Sequence, residues 1–460
     1  MENEERDVVQ TDIDESKIDS QTELVQTEPD GKKPKNVFTN KNFCLAFLGA
    51  LVSNLGSIFY SFAVSFYILE ITGNNAFIQG IYLATGGFVF VIATLFGGVI
   101  GDRYHKGKIM YLCDYAKGAL LLISTVLLMT VIQNDVSKVV VLFVIQVIAN
   151  IIAGIFSPTA ASLLPKIVPP ESFQQAQSYH SILDSFMGII GIVLAGIFYS
   201  ILPINVLFII VGVCYVLSGV SEMFIKYDYV KPTDKFTLKL AFKDIGVGFK
   251  YLVSMKPVLY LVITILFINF FLSPIFSNFI PYYIVTDIAT HDYMLKNVFD
   301  PPMWNSILSV IYGISSITMA IVLSSKKQKE RIIKGVRIAF VFFILDLLAF
   351  TVVYFLFTKG VVGINATIIT LCIVGFIMGL IMIQINIPIS TKMLTLVDQD
   401  KLGKVDSVIS IGSQGLIPLS NLIAGIVISG LGSLYVLVFS ISGLVIMTVM
   451  LMVNKQIAKL

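Results

Sequence analysis

The sequence predicts an all-α membrane protein of twelve transmembrane helices, arranged as two six-helix pseudo-repeats. Three observations predict it. Hydrophobic residues make up 56% of the chain and charged residues only 13%, with a mean hydropathy of +0.87, whereas a soluble domain carries about a quarter charged residues. Twelve apolar runs are each long enough to cross a bilayer as a helix. The basic residues are sorted onto alternate connections, the pattern that fixes orientation in a membrane.

Residues 1–36 are acidic, rich in Gln, Ser and Thr, and free of apolar runs. They read as a disordered cytoplasmic tail without the hydrophobic region of a signal peptide. The spans follow at 43–69, 76–100, 109–132, 139–164, 176–202, 204–225, 258–284, 304–325, 338–357, 361–387, 405–429 and 432–453. Pro158 is expected to close span four and Pro388 span ten. Of the 32 Lys and Arg, only Lys138, Lys296 and Lys359 fall on the opposite side, and Lys117 lies inside a span. Both termini are therefore expected in the cytoplasm of a cell whose plasma membrane the chain crosses. The domain reading is a six-helix bundle over 37–225, a cytoplasmic linker over 226–257 and a second bundle over 258–460. Leu238, Phe242, Ile245 and Phe249 give the linker an amphipathic helix suited to the inner membrane surface.

The chain is organised around the turn between spans two and three, Gly97 to Lys108, where four charges and four glycines interrupt apolar sequence. The halves echo one another. Asp114 in span three has a counterpart at Asp346 in span nine, and the charged turn has one at the basic segment Lys326–Arg337. A parallel six-plus-six repeat is the plan of a rocking transporter.

With these residues placed, the chain resembles the major facilitator superfamily. Gly98-x3-Asp102-Arg103-x4-Lys108 is similar to the signature loop of that superfamily. Leu55-Gly56-Ser57, Leu69-Glu70-Ile71-Thr72-Gly73, Asp114, Ser157-Pro158 with Leu164-Pro165-x-Ile167-Val168-Pro169, and Lys243-Asp244-x3-Gly248-Phe249-Lys250 resemble its macrolide-efflux-like branch. The resemblance implies the major facilitator fold and a drug-exporter activity. It also implies that Asp102 contacts the start of helix eleven, near Val405-Asp406-Ser407, latching the inner face shut; topology marking by the basic residues alone is the alternative. A helix N-terminus favours such a carboxylate. Span four lacks the arginine that many drug–proton antiporters of the superfamily carry.

Asp184 lies about two turns into span five among apolar neighbours. An unpaired carboxylate there should face a cavity or bind a proton, which suits proton coupling; a hydrogen bond or ion pair joining two helices is the alternative. Asp114 and Lys117, three residues apart, share a helix face and read first as a structural ion pair, second as a coupling site. Asp346 is a further proton candidate. Glu222 and Lys392 sit near span ends and are expected to snorkel.

Neutral polar residues mark a candidate cargo surface: Asn54, Ser57, Tyr60 and Ser61 in span one, Gln146 and Asn150 in span four, Asn269 and Ser273 in span seven, and Gln384 in span ten. Interhelical hydrogen bonding explains each singly. Together they suggest a cavity with little fixed charge, suited to an amphipathic organic molecule. Pro274 and Pro281 should kink span seven, and Trp304 should anchor span eight at an interface.

No enzyme is expected. The three histidines are far apart, no nucleotide-binding loop occurs, and Cys44, Cys113, Cys214 and Cys372 follow neither a disulfide nor a metal-ligand spacing. No cofactor, metal or nucleic acid is implied. The expected partners are a small amphiphilic substrate, protons as coupling ion and the lipid bilayer, with the chain a monomer. The reading is a secondary active, proton-coupled exporter of lipophilic or amphiphilic compounds. A lipid or lysolipid flippase and a non-transporting membrane sensor or immunity protein are the alternatives.

Overall fold

The computed structural model describes residues 36–229, 246, 249–324, 333–396 and 402–453, and all regular structure in them is helical. The helices are α1 (Lys41–Ile71), α2 (Ala76–Arg103), α3 (Lys106–Thr130), α4 (Asp135–Ile167), α5 (Pro170–Ile201), α6 (Ile204–Met223), α7 (Lys256–Ile288), α8 (Met303–Ser324), α9 (Ile333–Thr358), α10 (Ile364–Leu396), α11 (Leu402–Leu431) and α12 (Leu434–Val453). Among the described residues eleven are long and apolar enough to cross a membrane, and α11 adds the apolar stretch Gly415–Leu431. The twelve-helix all-α membrane fold is therefore present. With an even number of helices, both ends of the described chain lie at one end of the bundle, here called the termini end.

Side-chain caps set the starts of the first four helices. Asn40, Asn75, His105 and Asn134 each accept from backbone N–H groups of the first turn, satisfying donors that a helix otherwise leaves unpaired. Gly73 and Asn74 turn the chain between α1 and α2 with φ of 65° and 63°, the left-handed region in which Gly and Asn are least strained.

Pro158 and Pro388 do not end their helices. α4 and α10 run through them to Ile167 and Leu396, because a proline removes one backbone donor and neighbouring helices can absorb the defect. α7 answers its prolines differently: π turns occupy Ile275–Phe279 and Ile284–Ile288, after Pro274 and Pro281. α5 carries another π turn at Met187–Gly191. The amphipathic face at Leu238, Phe242 and Ile245 lies outside the described residues, as does the basic segment at 326–332.

Among the described residues, the first six helices and the last six meet closely between the middle of the bundle and its far end. A Cβ on Gly80 would stand 2.8 Å from the Gly425 Cα, and one on Gly87 would meet the Pro418 ring. On the other flank, Ser306 Oγ donates to the Ile192 carbonyl at 2.8 Å, and a Cβ on Gly313 would lie 2.6 Å from Ile189. Small residues permit helix contact at backbone distance, where dispersion holds membrane helices together. Trp304 is only 3% exposed, covered by Tyr293 and Phe299 of the far-end connection. It fills that connection and is not an interfacial anchor.

Candidate functional site

A cavity of about 560 Å3 lies on the termini side of the first half. Its wall combines Ser53, Asn54 and Ser57 of α1, Asp114 and Lys117 of α3, Phe156 and Ser157 of α4, and Gln177, His180 and Asp184 of α5. A smaller hollow of about 80 Å3 shares Ser53, Asn54, Phe156 and His180 with it and reaches Glu222 of α6.

Asp184 stands on the cavity wall, exposed, and Asn54 Nδ2 donates to its Oδ1 at 3.4 Å. His180 lies one turn earlier on the same face. Its ring meets Phe43 and Phe47 edge-on, each at 5.9 Å. Phe38, just before α1, packs on Phe43, Phe47 and Tyr179, so an aromatic cluster borders the cavity between α1 and α5. The π turn begins three residues after Asp184; such turns recur at functional sites.

Asp114 and Lys117 both face the cavity, but they do not form the expected ion pair. Lys117 Nζ lies 5.0 Å from the centroid of Tyr215 and 5.3 Å from that of Phe156, between two π faces that attract a cation. The Tyr215 hydroxyl is held by Ser57 Oγ at 2.8 Å. Asp114 is 0% exposed and neither carboxylate oxygen receives a hydrogen bond. Glu222 does not snorkel: it is 1% exposed, packed against Gly49, with both oxygens likewise unpartnered. Too short to reach past the α1–α6 contact, its side chain stays inside. Sequence reading missed Glu222 because its position near a span end masked its inward face; the 3.6-residue spacing from Ser218 and Tyr215 was the available signal.

The cavity is thus not the almost uncharged hollow expected from neutral residues. Lys117, His180, Asp114 and Asp184 line it. Of the neutral candidates, Asn54 and Ser57 are on its wall. Tyr60, Tyr82 and Gln146 instead form a hydrogen-bonded chain across α1, α2 and α4, at 3.2 and 2.8 Å, and Asn150 Nδ2 donates to the Gln146 carbonyl. Ser273 Oγ donates to Asn421 Oδ1 at 3.0 Å, tying α7 to α11. Ser61 is exposed, Asn269 half-buried, and Gln384 reaches Met319 Sδ at 3.6 Å; none of the three is on this wall. Asp346 is buried in α9, away from the cavity, with one oxygen unpartnered.

The charged turn after Gly98 is held together by a residue the motif does not name. Lys106 is 2% exposed; its Nζ donates to the Gly101 carbonyl at 2.8 Å and to Ser162 Oγ at 2.7 Å. Lys108 of the motif is exposed. The chain after α6 straps this turn. Tyr227 accepts from the Lys106 N–H at 2.7 Å, the Tyr229 hydroxyl donates to the Arg103 carbonyl, and both rings pack on His105. The side chains of Asp102 and of 405–407 lie outside the described residues. Among the described residues no cluster of His, Cys, Asp or Glu is placed to hold a metal ion.

The family model for the Major Facilitator Superfamily matches residues 45–420. An uncharacterized MFS-type transporter, YkuC, of Bacillus subtilis (strain 168) is 26% identical over 188 residues, covering 40% of this chain and 41% of that one. The staphyloferrin A transporter of Staphylococcus aureus (strain NCTC 8325 / PS 47) is 22% identical over 181 residues, covering 39% and 43%. The matches span less than half the length of these curated relatives. Among solved structures, a bacterial homologue of the iron transporter ferroportin in an inward-facing state superposes with a TM-score of 0.65 at 14% identity, covering 91% of this chain and 99% of that one. A POT family transporter in complex with 5-aminolevulinic acid gives 0.67 at 12% identity, covering 89% and 95%. At such identities the structural likeness shows the fold alone.

Proposed function

The chain belongs to the major facilitator superfamily, and from that premise we propose that it is a proton-coupled exporter of lipophilic or amphiphilic compounds, working by alternating access. The observation that carries this reading is the ionisable cavity on the termini side of a bundle whose halves, among the described residues, meet closely toward the far end. With both termini in the cytoplasm of a plasma-membrane protein, as the basic connections favour, that cavity is a loading site on the cytoplasmic side. Residues 37–225 then rock against 258–460, and the Asp102 turn latches onto the start of α11 when the cytoplasmic side closes. Apolar walls around Asn54, Asp184 and His180 suit a cargo with a polar, amine-bearing head and a greasy body. Asp184 is the first coupling candidate, since its carboxylate is exposed on the cavity wall; Asp114 and Asp346 are the others.

Everted vesicles from an overexpressing strain test the reading. A labelled macrolide should accumulate only while a proton gradient is present, and Asp184→Asn should stop accumulation at unchanged protein level. Uptake that survives an uncoupler would remove the coupling claim.

A lipid or lysolipid flippase is the second reading. It is favoured by a wholly apolar hollow of about 400 Å3 between α2 and α4, lined by Val89, Ile92, Phe96, Val147 and Ile151. Movement of fluorescent lysolipid in proteoliposomes, sensitive to Ile92→Trp but not to Asp184→Asn, would favour it.

A further inference from the structure

Two buried acids and one lysine meet where α3, α6 and α1 cross. The crossing is tight because its contact residues are small: a Cβ on Gly118 would stand 3.0 Å from the Gly212 carbonyl, and one on Gly49 would stand 3.1 Å from Glu222 Cγ. Ser218 and Ser221 of α6 donate to the carbonyls of Gly49 and Leu45 on α1, at 3.0 and 2.7 Å. The Ser218 hydroxyl lies beside Asp114 as well, but its proton goes to the Gly49 carbonyl. Asp114 and Glu222, close enough to interact electrostatically, are left with four carboxylate oxygens, all inaccessible and all without a donor. A carboxylate in that setting is very costly as an anion, and two that repel one another in a buried helix crossing disfavour ionising together. Among the described residues the nearby cation, Lys117, is on the rings of Tyr215 and Phe156 rather than in an ion pair with either acid.

We propose that Asp114 and Glu222 form one proton-binding site, sharing a single exchangeable proton balanced by the charge of Lys117, separate from Asp184. One carboxylic acid, one carboxylate and one ammonium sum to zero, the charge a low-dielectric helix crossing tolerates best. When the proton leaves to cavity water, the acid's O–H bond breaks and the cluster keeps one net negative charge, with Lys117 the nearest compensating group. The other titratable groups facing the pair are Cys113 on α3, Tyr215 on α6, and His180 and Asp184 across the cavity on α5; α1 and α4 contribute Ser53, Asn54 and Phe156. The inference deepens the proton-coupling reading, but it can be tested without transport.

Infrared difference spectroscopy of the purified full-length protein in phosphatidylethanolamine–phosphatidylglycerol vesicles is the test, in an Asp346→Asn, Asp287→Asn background that removes further acids buried or half-buried in the described helices. At neutral pH one protonated-carboxyl carbonyl band is expected, shifting on exchange into D2O. Asp114→Asn and Glu222→Gln should each abolish it, because the remaining acid then ionises beside Lys117. Lys117→Gln should roughly double it, because without the counter-charge both acids hold a proton. Asp184→Asn should leave it in place. A wild-type protein without the band, a band that survives either acid substitution, or a band unchanged by Lys117→Gln would overturn the proposal. Uncoupler-insensitive transport with the band intact would instead remove the coupling reading and leave this site standing.

Discussion

The Nζ of Lys106 donates to the Gly101 carbonyl at 2.8 Å, so the first residue of α3 closes the last turn of α2. The helix dipole favours a cation at this C-terminal end, and Ser162 ties the same ammonium to α4. A turn that looks like a solvated basic loop is therefore a buried joint among three helices.

That joint predicts a contrast between two lysines two residues apart. Lys106→Ala leaves the Gly101 carbonyl and Ser162 without their charged partner and should destabilise the protein by about 1–3 kcal/mol. Lys108→Ala, at an exposed position, should change stability by less than about 0.5 kcal/mol. Thermal unfolding of the purified variants in detergent measures both. Equal losses would show that the turn works only as a basic patch.

His105 predicts a pH dependence of the same joint. Its Nδ1 accepts from the Lys108 N–H at 3.3 Å to cap α3, a role that requires the neutral ring. Burial, helped by the Lys108 charge, lowers its pKa below the ordinary histidine value. The unfolded chain therefore binds this proton more readily than the folded one, and stability rises with pH through this range. The contribution is complete above the unfolded pKa and is lost as pH falls through the folded one. Cooling of the melting temperature between about pH 7.5 and about pH 5.5 should be smaller in His105→Asn, which caps equally well and does not titrate. An unchanged slope would remove His105 from the account.

The sequence carried the helices and their order, because apolar length and the sorting of Lys and Arg survive any detail of packing. It did not carry the cavity. Gln146 and Asn150 have the same i, i+4 polar spacing as Ser53 and Ser57, yet they bond along and between helices while Ser57 reaches the cavity. Which polar stripe faces a hollow depends on rotation about the helix axis, which neighbouring helices set. Glu222 and Lys117 show the same limit from the charged side. One was read as a snorkelling end residue and the other as half of an ion pair, and only the α3–α6 crossing decides otherwise.

The contact between α2 and α11 predicts a conformational lock. A Cβ on Gly425 would stand 2.8 Å from the Ala76 carbonyl and 2.9 Å from Gly80 Cα, so Gly425→Leu must push the helices apart toward the far end. Ala424 beside it is 0% exposed. In a cysteine-free background, Ala424→Cys should resist a membrane-impermeant maleimide, and adding Gly425→Leu should make it react from the far side. Labelling that is equally fast in both backgrounds would mean that this contact does not hold the far end closed.

Asn54 and Asp184 predict a division of labour within the cavity. Asn54 gives Asp184 one long hydrogen bond of 3.4 Å, and an exposed carboxylate can replace that donor with water at little cost. On the proposed exporter function, Asn54→Ala should therefore slow ethidium efflux by only a few-fold, on the order of the 1 kcal/mol such a bond contributes. Asp184→Asn keeps the shape and the capacity to accept from Asn54 but removes the carboxyl group proposed for coupling. It should abolish efflux against a gradient while leaving ethidium equilibration down its own gradient intact. That split separates coupling from binding: a residue needed only to hold helices together would lose both movements, and one needed only for cargo recognition would lose them in equal proportion. Equal loss of both in Asp184→Asn would assign the residue to recognition or packing and move the search for the coupling group to the buried acids of α3 and α6.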